Sequence, residues 1–272
     1  MTRPTLEYVE ASINFAAEHD RSPEVYAYSA PEGREERTAP PTRHVLPVFD
    51  ARPIAAELSL DAEGIVLTDL RSQIDPLDSE AVQREFYPEA QECVARATGA
   101  ARVVAFDHNV RSAARAKAGE PGIQRPVKFA HNDYTDRSGP QRVRDLLSDE
   151  ASDLLGRRFA VINVWKPIHH PAEDVPLGVC DAQSIQPEHL RPTVLKYAER
   201  NGEIYSLLHD PDQRWLYFPH MTPDEAMLLK CFDSESDGRA RYTAHAAFED
   251  PSVPSDALSR ESIEVRTLAF FS

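Results

Sequence analysis

Two imidazoles and a carboxylate stand out as side chains able to act together: His131 and Asp133, within His131-Asn132-Asp133, and His245 far downstream. Side chains alternate faces along an extended strand, so residues 131 and 133 point to the same side. A second imidazole delivered by a distant strand would place two histidines and one carboxylate on one face of an octahedron, leaving the opposite face open. This ligand set suits non-haem Fe(II) chemistry with dioxygen. The chain then ends in a strand-like run that carries Arg260, Ser262 and Arg266. With ten histidines present, a His-x-Asp alone is a weak signal. Its context strengthens it, because the preceding run Val127-Lys128-Phe129-Ala130 reads as strand and the spacing to His245 lets the chain cross a barrel several times.

The elements that must position these residues are mostly strands. Short runs rich in β-branched and aromatic residues, separated by turn formers, predict strands at Arg102 to Phe106, Val127 to Asp133, Phe159 to Trp165, Glu203 to Leu208, Arg214 to Phe218 and Ser262 to Phe271. The pair flanking His209 to Gln213 reads as a hairpin. Asp78 to Thr98 reads as a helix that Pro88 should kink and Gly99 should end. Thr222-Pro223-Asp224-Glu225 carries a capping-box pattern and predicts a second helix. Residues 20 to 43 and 111 to 126 read as surface excursions, the second a candidate lid. Many short strands without regularly interleaved helices predict a mainly β fold with flanking helices, a sandwich or jelly roll rather than a parallel βαβ sheet.

The 272 residues suit one domain, with residues 1–99 as an N-terminal supporting segment with helices and 100–272 as the catalytic core. Lys+Arg total 30 against Asp+Glu 45, a formal charge of -15, which argues against nucleic acid and anionic membranes as partners. The acidic N-terminal stretch and the lack of a long apolar run predict a cytoplasmic protein. Cys93, Cys180 and Cys231 lie far apart and form no Cys-x-x-Cys pair, so neither a disulfide framework nor a thiolate zinc site is expected. Dinucleotide-binding glycine fingerprints, phosphate loops, His-Glu-x-x-His and Gly-x-Ser-x-Gly are likewise missing.

An ordered set of motifs carries a family resemblance. It runs through Phe106-Asp107-His108-Asn109-Val110-Arg111, His131-Asn132-Asp133-Tyr134-Thr135, Asn163-Val164-Trp165-Lys166-Pro167 and Arg214-Trp215-Leu216-Tyr217-Phe218-Pro219. It continues through Lys230-Cys231-Phe232-Asp233-Ser234, His245 with Phe248, and Arg260-Glu261-Ser262-Ile263-Glu264-Val265-Arg266. Over roughly residues 100 to 272 the chain resembles the Fe(II)/2-oxoglutarate oxygenases of the branch that includes a cephamycin hydroxylase component, a meroterpenoid endoperoxide-forming enzyme and gibberellin-desaturase-like proteins. The resemblance implies a double-stranded β-helix (jelly-roll, cupin-like) core, Fe(II) at its open end, and 2-oxoglutarate and dioxygen as co-substrates.

It also implies roles. His131, Asp133 and His245 would hold the metal. Arg260 with Ser262, or else Arg266, would hold the distal carboxylate of the keto acid, since a guanidinium offers that group a planar two-point partner. Independently of the resemblance, Asn163 alternates with Val164 on an expected inner strand and would bond the co-substrate, order a metal-bound water, or be a buried amide satisfied by the backbone. Tyr134, Trp165 and Tyr217 would line the site, although aromatic residues on barrel strands are more often core; His108 would lie near it, and Arg111 on the candidate lid would attract an acidic substrate or be part of a solvated loop. A retained Asp133 argues against halogenation, because related halogenases replace this carboxylate to admit halide. The expected reaction is hydroxylation or desaturation of a small metabolite. A non-haem iron oxidase that needs no keto acid and a non-catalytic ligand-binding jelly roll are the competing readings.

Overall fold

The computed structural model describes residues 5–18, 23–26, 37–254 and 256–272. Most of the predicted excursion at 20 to 43 therefore lies outside the described residues. In chain order the strands are β1 (Tyr8–Phe15), β2 (Glu24–Tyr26), β3 (Thr42–Asp50), β4 (Ile65–Asp69), β5 (Arg102–Ser112), β6 (Ile123–Gln124), β7 (His131–Asn132), β8 (Phe159–Pro167), β9 (Leu177–Cys180), β10 (Leu190–Lys196), β11 (Asn201–Leu207), β12 (Trp215–Tyr217), β13 (Glu225–Asp233), β14 (His245–Ala247) and β15 (Glu261–Phe270). They form a nine-stranded sheet, β1-β3-β12-β9-β14-β7-β11-β10-β2, and a six-stranded sheet, β4-β13-β8-β15-β5-β6. Strands β7, β8 and β9 and then β12, β13, β14 and β15 alternate between the two sheets, the winding of a double-stranded β-helix. The jelly-roll expectation is met.

Apolar side chains meet between the sheets, with Phe159, Val161, Trp165 and Leu229 of the smaller sheet in one cluster with Leu177, Val179 and Leu216 of the larger. The other face of the smaller sheet is covered by the predicted helix. Asp78 caps its first turn, α1 (Ser79–Ala81), by accepting from the backbone N–H groups of Glu80 and Ala81. A π-turn over Val82–Phe86 then leads into α2 (Tyr87–Thr98), with Pro88 in its first turn. The chain thus changes register before Pro88, where the missing N–H would otherwise break the ladder. Gly99 ends the helix at φ 71 in the left-handed region. Val82, Phe86, Ala90 and Val94 pack against Ile162, Val164 and Val265. Among the described residues there are also the short α-helices α3 (Ala113–Lys117), α4 (Ser138–Leu146) and α5 (Ala151–Leu155). Among the described residues no helix is long and apolar enough to cross a membrane.

Two expectations are corrected. Thr222 to Glu225 makes the bonds of a capping box, Thr222 N donating to Glu225 Oε2 at 2.8 Å, yet the chain from Glu225 onward is strand β13 and not a helix. That strand lies between β4 and β8, and all but its first residue are buried. A strand covered on both faces loses the period-two pattern that would announce it. Residues 209–213 are not a hairpin, because β10 and β7 already occupy both edges of β11. Strand β12 pairs instead with β3 in parallel and β9 in antiparallel. The early strands β3 and β4 are hydrogen-bonded into the two sheets through β12 and β13.

Candidate active site

Strand β7 places His131, and its neighbour β14 places His245 directly opposite, the two residues being an antiparallel pair. Their rings lie 4.6 Å apart, centroid to centroid, tilted by 51°. Each imidazole is tied through Nδ1 to a carbonyl two residues earlier, His131 to Phe129 at 2.7 Å and His245 to Thr243 at 3.1 Å. A ring whose Nδ1–H donates to a carbonyl presents Nε2 as its lone-pair nitrogen, the arrangement of metal-binding histidines. His131 Nε2 lies 3.4 Å from Asp133 Oδ1, and one donor atom from each of His131, Asp133 and His245 falls within 4.8 Å of the others. Burial and the neighbouring His131 push the His245 imidazole below its ordinary pKa, which keeps it neutral and available to a cation.

The intervening Asn132 turns away from this cluster and is fully buried. Its amide nitrogen donates to the carbonyls of Tyr134 at 2.7 Å and Cys231 at 2.8 Å, and its amide oxygen accepts from Thr243 N at 3.0 Å. One side chain thereby fixes β7 to β13 and to the residue whose carbonyl orients His245. Gly64 completes the support from below. At φ +82 it lies so close that an added Cβ would sit 2.0 Å from Thr243 Oγ1. Asn132→Ala is expected to destabilise the protein by about 3 kcal/mol, because it strands a buried N–H and two carbonyls. Urea unfolding measures this, and a loss below about 1 kcal/mol would show the amide to be dispensable.

Asp133 is held from its far side. Its Oδ2 accepts from Asn163 Nδ2 at 2.8 Å and from Arg266 Nε at 3.1 Å, which leaves Oδ1 turned toward the histidines. Asn163 and Arg266 are cross-strand partners on β8 and β15. Burial works against the charge of Asp133, but Arg266, His131 and His245 outweigh it and hold the carboxyl well below the usual range. Arg266 also reaches Asp107 Oδ2 at 2.8 Å and Glu264 Oε1 at 3.0 Å. Its guanidinium is thus engaged by three carboxylates of the protein.

Arg260 has a different setting. It is 2% exposed, donates from Nη1 to the Val175 carbonyl at 2.7 Å, and lies with its guanidinium carbon 5.5 Å from the centre of the Trp165 ring. Burial first, and then Arg111, push the Arg260 guanidinium down to about 9. Its Nε, Ser262 Oγ and Asn163 Oδ1 are buried and take no hydrogen bond from the protein. Buried polar atoms of this kind are met in native proteins by a ligand or by ordered water. Trp165, Arg111, Arg260 and Glu264 line one cavity with His131, Asp133, His245 and Arg266. Two imidazoles, one ionised carboxylate and a buried arginine whose Nε lacks a partner fit a divalent iron and a dicarboxylate co-substrate.

Other residues singled out in the sequence lie elsewhere. Tyr217 packs with Trp215 and Phe248 in a separate cluster, since the pleat gives that strand's inward face to Leu216. Tyr134 is a buried member of the intersheet core. His108 faces the helical layer, with Nδ1 3.0 Å from the Tyr87 hydroxyl. Asn132, Gly64 and Asp107 support the site without having been singled out for it, because an amide, a glycine and a carboxylate are common residue types whose partners lie far away in sequence.

This arrangement has counterparts among known proteins. The sequence model of the family described as "Oxidoreductase/YMDC permease-like domain" matches residues 13–270. The chain is 33% identical over 238 residues to the Fe(II)/2-oxoglutarate-dependent dioxygenase nvfI of Aspergillus novofumigatus, covering 84% of each. It is 31% identical over 246 residues to the hydroxylase/desaturase efuI of Hormonema carpetanum, covering 82% of each. A solved structure of the iron and alpha-ketoglutarate-dependent endoperoxidase NvfI superposes with a TM-score of 0.87 at 28% identity, over 97% of this chain and 98% of that one. With matches of this extent, and a His-Asp-His cluster at the mouth of a double-stranded β-helix, the chain belongs to the Fe(II)/2-oxoglutarate-dependent dioxygenases, enzymes that use Fe(II), 2-oxoglutarate and dioxygen.

Proposed function

We propose that this enzyme hydroxylates or desaturates an unactivated C–H bond of a small metabolite, with His131, Asp133 and His245 as its iron ligands and Arg260 with Ser262 as the anchor of the keto acid. The observation that carries the reading is that a two-histidine, one-carboxylate cluster shares a cavity with the buried Arg260, whose Nε lacks a partner, as does Ser262 Oγ two residues on along the chain. Bound iron, keto acid and dioxygen supply the oxidising power for abstracting hydrogen from the substrate. The protein's own contribution is positional. Phe129 and Thr243 fix the two imidazoles by their tautomer, while Asn163 and Arg266 leave a single Asp133 oxygen free. Trp165 walls the cavity beside Arg260 and keeps water from the reacting carbon.

Relatives named as hydroxylase/desaturase and as endoperoxidase indicate that the outcome after hydrogen abstraction varies on this scaffold. Placement of the substrate radical then selects the product, and sub-ångström differences decide placement. Anaerobically purified enzyme loaded with Fe(II), then given dioxygen, 2-oxoglutarate and a panel of small metabolites, is expected to release succinate in step with product. A mass gain of one oxygen denotes hydroxylation, and loss of two hydrogens denotes desaturation. Product formed without any succinate would replace this reading by the keto-acid-independent one.

A further inference from the structure

We propose that Arg111 and Arg260 together clamp one carboxylate, the distal carboxylate of 2-oxoglutarate, so that Arg111 is a second determinant of which keto acid the site accepts. This rests on the keto-acid role of Arg260 given above. Strand β15 runs between β8 and β5, and its Ser262 pairs with Pro167 on one side and Arg111 on the other. Arg111 therefore stands beside the hydroxyl that lacks a partner, and it lines the same cavity as Arg260.

The charge inventory points the same way. Arg266 is matched by Asp133, Glu264 and Asp107. Arg111 and Arg260 form no ion pair among the described residues; each instead donates from Nη1 to a carbonyl, Arg111 to Arg125 at 2.9 Å and Arg260 to Val175 at 2.7 Å. Of the nearby carboxylates, Glu264 has its Oε1 on Arg266 Nη2, and Asp174 accepts through Oδ1 from the backbone N–H of Arg260. Two guanidiniums that share a low-dielectric cavity repel unless an anion lies between them. Burial lowers the pKa of each, and Arg111 adds to the effect on Arg260. Because Nη1 of Arg260 is engaged, its Nε and Nη2 form the free edge, the two-point face that matches a carboxylate. Ser262 Oγ and the Arg111 guanidinium supply the further donors that a carboxylate's remaining lone pairs require. A keto acid without a distal carboxylate would leave all of them unsatisfied.

The test is an anaerobic titration of the Fe(II)-loaded protein with 2-oxoglutarate and, separately, with 2-oxopentanoate, which has the same chain but ends in a methyl group. The wild type is expected to prefer 2-oxoglutarate. Arg111→Gln is expected to weaken 2-oxoglutarate binding by roughly tenfold or more, the scale of one charge-assisted hydrogen bond, while 2-oxopentanoate binding stays within about twofold. Retained 2-oxopentanoate binding shows that the variant is folded and its metal site intact. Arg111→Lys, which keeps the charge without the fork, is expected to recover part of the loss. An unchanged ratio of the two affinities in Arg111→Gln would overturn the clamp and leave Arg111 to an acidic group of the substrate. A variant that loses both keto acids equally would also overturn it, by showing a structural role. Wild-type protein that binds iron but neither keto acid would remove the function reading itself, and the clamp with it.

Discussion

His131→Ala is expected to abolish stoichiometric iron binding while leaving a folded protein. Three ligands share the binding free energy, so losing one is expected to cost about 3 kcal/mol or more, on the order of a hundredfold in affinity. His131 is the appropriate ligand to remove because its side chain is 14% exposed at the cavity mouth, whereas His245 is buried deeper, at 4% for the whole residue. Truncation there removes a donor without opening a core cavity. Its bond to the Phe129 carbonyl is a local one on a partly exposed residue, so its loss is expected to shift urea unfolding by no more than about 1 kcal/mol. Equilibrium dialysis against Fe(II), with metal quantified in the protein compartment, checks the affinity. Retention of one equivalent of iron with wild-type affinity would remove His131 from the ligand set and leave the pairing of β7 with β14 without its functional reading.

The parts of this site that were legible in the sequence are those encoded locally. His131 and Asp133 share a face because they are two residues apart in extended backbone, and the Arg260-x-Ser262 spacing states the same geometry on β15. The helix over residues 78 to 98 was legible for a similar reason, since Asp78 and Gly99 mark its ends and Pro88 marks the first turn of α2 by their own backbone preferences. What the sequence obscured is long-range. Strand β13 is buried on both faces and preceded by a Thr-to-Glu bond pattern shared with helix caps, so local chemistry pointed to a helix where sheet pairing made a strand. The 209–213 turn failed as a hairpin for a topological reason, the edges of β11 being already taken. Asn132 shows the limit most clearly. It lies between two candidate ligands, yet its role depends on Cys231 and Thr243, about a hundred residues away, and no spacing rule brings them together.

Arg266→Met is expected to be the most damaging change at the site that alters no proposed iron ligand, and it separates two roles that spacing alone left open. A keto-acid anchor would be unpaired within the protein, as Arg260 is. Arg266 instead meets Asp133 at 3.1 Å, Glu264 at 3.0 Å and Asp107 at 2.8 Å, and the first two side chains are only 11% and 9% exposed. Burial opposes its charge, but Asp133 and Glu264 more than compensate and hold the guanidinium well above its ordinary value. Methionine fills a similar volume but leaves two buried carboxylates without their cation. Breaking a buried pair in this way costs about 3 to 5 kcal/mol, against the smaller cost of losing a surface contact. Asp133 would also lose one of the two donors that hold its Oδ2, and loss of such a supporting bond lowers metal affinity by roughly 10- to 100-fold. The variant is therefore expected to unfold at markedly lower urea concentration and to bind iron weakly. Its 2-oxopentanoate and 2-oxoglutarate affinities, measured at saturating iron, are expected to fall together, because the defect lies at the metal carboxylate and not at the distal one. Arg266→Met with wild-type stability and iron affinity but a selective loss of 2-oxoglutarate would assign Arg266 to the co-substrate and return Asp133 to support from Asn163 alone.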